Sequence, residues 1–163
     1  MNHLFRSEIR PYMQWFLHIH IMVPGVLALI GCMDANAARQ QVPAEITLEL
    51  GSGVIKAEVA NTPASREHGM MQRKHLGINR GMLFVLDTPE TVCLWMKNTG
   101  IPLSAAFIDN SGVITKTVDL EPNSKEEKCA PVPIRYILEV NRHWFDQNGV
   151  NTGGRIYNLP KSP

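Results

Sequence analysis

The sequence predicts a mainly β protein: a compact β-sandwich or small barrel-like domain with one short helix, preceded by a cleaved signal sequence. Three observations carry this reading. Apolar runs of strand length recur along the chain, clusters of turn-forming residues separate them, and a helix start is written only once. The 163 residues, less an export segment, suit a single domain with one modest core.

The first expected element is a β-hairpin. Residues 45–50 alternate apolar and polar, Gly51-Ser52-Gly53 turns the chain, and residues 54–60 place Ile55, Ala57 and Val59 on one face. The helix follows, with Thr62 as cap and Pro63 at the first helical position. Glu67 is read as favouring the positive end of its dipole, and the helix is expected to end near residues 71–74. Residues 81–86, 91–96 and 103–108 are apolar runs of strand length, separated by turns at 87–90 and 97–100. Asp109-Asn110-Ser111-Gly112 signals a tight turn before an alternating strand at 113–118. A long polar loop through Cys129 then leads to a last strand at 136–140.

Ahead of this domain, Arg6 and Arg10 precede an apolar stretch from Trp15 to Gly31, the pattern of a charged n-region and an h-region. Its uninterrupted core is shorter than the ~20 residues of a membrane span, and Pro24-Gly25 would weaken a spanning helix. Residues 1–37 are therefore assigned to a signal sequence and short linker, and 45–159 to one domain. Two processing sites compete. Leu29-Ile30-Gly31-Cys32 resembles a lipoprotein box in which Cys32 is acylated, whereas Ala35-Asn36-Ala37 fits ordinary cleavage. Acylated, the protein would be held to the membrane by its lipid anchor; otherwise it would be a soluble protein of the periplasm or cell envelope.

Export implies an oxidising compartment, in which Cys93 and Cys129 are expected to form a disulfide. Such a bond would contribute roughly 4 kcal/mol by loop entropy. Neither cysteine has the CxxC partner of a reactive thiol. With 16 Lys and Arg against 15 Asp and Glu, no basic footprint for nucleic acid exists. A hydrophobic fraction of 44% excludes a disordered chain.

Four segments, Arg66-Glu67-His68-Gly69-Met70-Met71-Gln72-Arg73, Gly81-Met82-Leu83-Phe84, Trp95-Met96-Lys97-Asn98-Thr99-Gly100-Ile101-Pro102-Leu103 and Phe107-Ile108-Asp109, carry a resemblance. In order and spacing they resemble domain of unknown function family 192, from about Ile46 to Ile156. The resemblance implies a β-sandwich-like fold and frequent bacterial export, with no established activity; it names a fold, not a function. This chain departs from the family pattern near its C-terminus. Arg142-His143 stands where a small residue and glycine are usual, and Gly154 where an aspartate is common.

The candidate ligand-binding residues are Arg66, Arg73, Trp95, Lys97, Asn98, Asp109 and Glu139. Trp95, Lys97 and Asn98 sit where a strand meets a turn, offering a stacking face, a charge and paired donor and acceptor groups suited to a sugar or anionic polymer. Alternation buries one of Trp95 and Met96; the plainer reading puts Trp95 in the core and leaves Asn98 and Thr99 to make the turn. Arg66 and Arg73 suit an anion or, more plainly, ion pairs with Asp109 or Glu139. Glu139 lies inside an apolar strand, where a charge must be paired or useful, and pairing with Arg66 or Arg73 is expected.

An enzyme would recruit His68, Asp109 and Glu139 as acid or base, but no nucleophile elbow, paired-carboxylate spacing or zinc motif accompanies them. Met70, Met71, Met82 and Met96 with His68 or His75 could hold a soft metal, though methionine in a core is the commoner use. The expectation is a binding or accessory module without metal or cofactor, acting on an envelope component or small polar ligand. A small envelope hydrolase and a purely structural lipoprotein are its rivals.

Overall fold

The computed structural model describes residues 44–160. The expected signal sequence, with Cys32 and the alternative site at Ala37, lies outside the described residues.

The chain forms β1 (Glu45–Leu50), β2 (Gly53–Ala60), α1 (Pro63–His68), β3 (Arg80–Glu90), β4 (Cys93–Leu94), β5 (Leu103–Ile108), β6 (Ile114–Leu120), β7 (Lys128–Cys129), β8 (Ile134–Asn141) and α2 (Trp144–Gln147). Six strands make one mixed sheet in the order β1-β2-β3-β8-β5-β6, and β4 pairs with β7 in a separate ribbon. All pairings are antiparallel except β2 with β3, which α1 and the segment after it connect as a crossover. The mainly β expectation holds. The parallel pair and α2 have no counterpart among the expected elements.

The β1–β2 hairpin forms as expected, with Leu48, Ile55 and Ala57 fully buried. Its turn needs glycine because Gly51 has φ +56°, and a Cβ there would stand 2.1 Å from the Asn148 carbonyl oxygen.

Three expected boundaries change. The helix stops at His68 because Gly69, at φ +48°, turns the chain out of the helical region. Glu67 consequently lies near the C-terminal end of α1, and the first turn contains no acidic residue. The turn expected at 87–90 is instead a continuation of β3, with its register against β8 shifted between Val85 and Glu90. That irregularity accommodates Pro89, which cannot donate to a regular ladder. The strand expected at 91–96 shrinks to the two residues of β4.

The central strands are buried on both faces, which explains their near-continuous apolar sequences. On β3, Leu83 and Val85 enter one core while Met82, Phe84 and Leu86 enter the other, as the two-residue period of a strand requires. The first core is completed by the β1–β2 hairpin, by Trp144 and Phe145 of α2, and by Val150 and Ile156. The second is covered by Met70, Val92, Met96, Ile101 and Ala130, which come from the loops around α1 and from the segments next to the ribbon. Cys93 and Cys129 face each other across the ribbon and form the expected disulfide, 36 residues apart in sequence. Among the described residues no helix is long and apolar enough to cross a membrane.

Candidate functional site

A cleft of about 120 Å³ opens over the second core, between the end of α1 and the segment running from β4 to Thr99. One lip is set by the capping of α1. The Ser65 amide donates to Thr62 Oγ1 (3.1 Å) and the Thr62 amide to Ser65 Oγ (3.0 Å), which fixes the helix start. One turn later the helix presents Arg66, Glu67 and His68 to the cleft. Arg66 is held in place by Asp87 of β3, at 2.8 Å, and by the Val85 carbonyl, at 2.9 Å. A Cβ on Gly69 would lie 3.3 Å from the Phe84 ring, so the chain passes close over the floor before Met70 enters the core.

The opposite lip carries Leu94, Trp95, Lys97 and Thr99 beside the disulfide. Met96 is the buried member of its pair, at 3% exposure, whereas Trp95 is 43% exposed. The reading that put Trp95 in the core is corrected: the alternation places it at the rim, with Lys97 Nζ 5.4 Å from its ring centroid.

The floor is Phe84 and Leu86 of β3 with Ile137 and Glu139 of β8. Glu139 is only 7% exposed. Its cross-strand neighbours are Met82 on β3 and Ala105 on β5, neither of which can hydrogen-bond a carboxylate. Burial pushes the Glu139 carboxyl up to about 7. The expected ion pair with Arg66 or Arg73 does not form. Arg66 is engaged by Asp87, and Arg73 makes a two-pronged pair with Glu58 of β2 at 2.7 and 2.6 Å. Among the described residues no side chain neutralises Glu139.

Of the seven candidates, Arg66, Trp95, Lys97 and Glu139 therefore share the cleft, and the other three do not line it. Asn98 sits at φ +55° in the turn, where its carbonyl accepts from the Gln72 amide at 2.9 Å. Asp109 closes the β5–β6 turn by accepting from Ser111 N, Ser111 Oγ and Val113 N at 2.8 to 2.9 Å. Burial opposes its ionisation, but the hydrogen bonds from Val113 and Ser111 and the charge of Arg155 outweigh it and hold the carboxyl below its usual range. Sequence reasoning missed Phe84, Leu86 and Ile137 as floor residues. Ile137 shares the face of Glu139 two residues away, but Phe84 and Leu86 are placed there by a β3–β8 register that no local pattern reveals.

Of the soft-metal candidates, His68, Met70 and Met71 border the cleft while Met82 and Met96 are core residues. The described residues bring Cys93, Glu127 and Cys129 together, but the two sulfurs are already bonded to each other. A second, polar hollow contains Ser104, Asp119 and His143. There Ser104 Oγ donates to Asp119 Oδ1 at 2.6 Å and accepts from the His143 amide at 3.0 Å. The His143 ring lies 3.5 Å from Asp119 Oδ2. Both side chains turn to the carboxylate, so the serine is not set against the imidazole as a nucleophile is set against its base.

The model of family DUF192, described as an uncharacterised ACR, matches residues 33–157. The chain belongs to the DUF192 family. No curated protein matches it. Two crystal structures are similar to this DUF192 chain, each with a TM-score of 0.66 over 71% of its length. One, from Sinorhizobium meliloti 1021, is named as a candidate transcription regulator; it is 32% identical and 94% of it is covered. The other, from Novosphingobium aromaticivorans DSM 12444, is a protein of unknown function, 27% identical and 84% covered. At the positions where the chain departs from the DUF192 pattern, His143 has φ +64°, a conformation that suits the usual glycine. Gly154 accepts a hydrogen bond from the Ile114 amide at the edge of β6 and does not line the cleft.

Proposed function

We propose that this DUF192 protein is an exported cell-envelope binding module that takes a small ligand with a polar group into the cleft. One observation carries the reading: a buried carboxylate, Glu139, lies unneutralised at the floor of an apolar cleft whose rim exposes Trp95. A protein keeps such a group at an energetic cost unless a bound partner uses it. Trp95 offers a face for the body of the ligand, and Glu139 an acceptor for its polar end. Export is supported by the n- and h-regions of residues 1–37, and the Cys93–Cys129 bond suits the compartment they imply. Acylation at Cys32 would add a lipid anchor.

Intact mass spectrometry of the protein purified from its own envelope, native and then denatured and reduced, tests all parts. The expected result is a mass beginning at or after Cys32, a gain of about two mass units on reduction for the disulfide, and extra mass retained only in the native spectrum. Trp95→Ala and Glu139→Gln should each lose that extra mass. An unprocessed N-terminus would overturn export, and retention of the ligand by both variants would overturn the site.

A hydrolase would use the same carboxylate as its acid or base, since a group with a pKa near 7 suits proton transfer at neutral pH. It would be recognised by turnover that Glu139→Gln abolishes while ligand affinity survives.

A further inference from the structure

We infer that the group seated on Glu139 is the ammonium of a small primary amine, whose apolar body fills the rest of the cleft. The inference rests on the binding-site reading above and names the chemical class of its ligand.

The first argument is the lack of a counter-charge from the chain itself. Cations do approach the cleft, but each is otherwise engaged: Arg66 by Asp87 and the Val85 carbonyl, and Lys97 by the Trp95 ring at the rim. Glu67 and His68 complete the titratable groups around it. The adjacent strands contribute Met82 and Ala105 opposite Glu139. A buried carboxylate surrounded in this way is most stabilised by a cation that arrives with the ligand.

The second argument is the chemistry of the walls. Met70, Phe84, Leu86 and Ile137 are apolar, and aromatic faces and thioethers tolerate a cation better than an anion. A carboxylate or phosphate entering beside Glu139 would meet a like charge in a poorly solvated space. An alcohol would give one hydrogen bond and leave the charge in place, whereas an ammonium gives three donors and the opposite charge. The third argument is size. A cavity of about 150 Å³ holds a benzene ring, and the cleft offers about 120 Å³ with an open mouth. The body of the amine is therefore a single ring or a short alkyl chain.

Benzylamine and its neutral counterpart benzyl alcohol are suitable probes. Each is titrated at pH 8, where Glu139 is mostly ionised, into the protein and into the Glu139→Gln variant. Binding is followed by the backbone amide NMR signals of Met70, Trp95 and position 139. The amine should bind roughly ten- to a hundredfold tighter than the alcohol, and the glutamine should remove that preference, weakening the amine far more than the alcohol. Equal binding of the two probes, or full amine affinity in the variant, overturns the amine and leaves the cleft as a binding site. If neither probe perturbs the cleft, both the amine and the small-molecule reading fail.

Discussion

Glu139 illustrates how much one residue discloses through its neighbours in the chain. A carboxylate inside Tyr136-Ile137-Leu138-Glu139-Val140 is out of place in a strand, and that alone marks it. Its surroundings are not legible in the same way, because Arg66 and Arg73 are drawn to Asp87 and Glu58 by contacts that depend on sheet order. Its raised pKa has a thermodynamic sign. Between the ordinary glutamate value and about 7, the folded state binds more protons than the unfolded one, so Glu139 lowers stability as pH rises through that window. Glu139→Gln should therefore match the wild type at pH 4 and exceed it at pH 8 by on the order of 3 kcal/mol. Urea denaturation at both pH values measures the difference, and equal stabilities at pH 8 would mean that the carboxylate is neutralised. His143 offers a second test at this scale. Its left-handed backbone costs a non-glycine residue energy, and its exposed approach to Asp119 returns little. His143→Gly should raise stability by about 1 kcal/mol, read from the urea midpoint at unchanged slope.

At the scale of elements, the features legible in sequence are those with local causes. The hairpin, the cap at Thr62, the turn at Asp109 and the run of β5 each follow from neighbours in the chain. The length of β3, the brevity of β4 and the crossover to a parallel partner depend on residues far away in sequence. The ribbon is the element whose integrity matters most to the cleft, since Cys93, Leu94 and Trp95 form one wall. Only two residue pairs and the disulfide join β4 to β7. Replacing both cysteines with serine should cost about 2–4 kcal/mol, measured by denaturant titration. It should also weaken ligand retention more than Thr62→Ala, which removes a cap worth about 1 kcal/mol from the opposite lip.

At the scale of the molecule, the sequence conveys the fold class but not the strand order, because strands buried on both faces carry little information about which neighbour they take. Leu138 lies at the centre of the sheet, fully buried between β3 and β5. Leu138→Ala should cost about 2–5 kcal/mol, with the loss spread over the whole transition rather than confined to one edge. Separate unfolding of the β1–β2 hairpin and the remaining strands would show that the sheet is not a single cooperative unit.

The strand order also dictates a timetable. β8, the last of the described strands, is inserted between β3 and β5, so the two halves of the sheet have nothing to join them until residues 134–141 have emerged. A nascent chain ending before Ile134 has the outer hairpins but neither a continuous sheet nor a floor for the cleft. Folding of the sheet must therefore wait for β8, and its rate should fall in the slow range of proteins dominated by distant pairings. Under the export proposed above, in which a chain threads through a membrane N-terminus first, that delay would keep it unfolded for the duration of the passage.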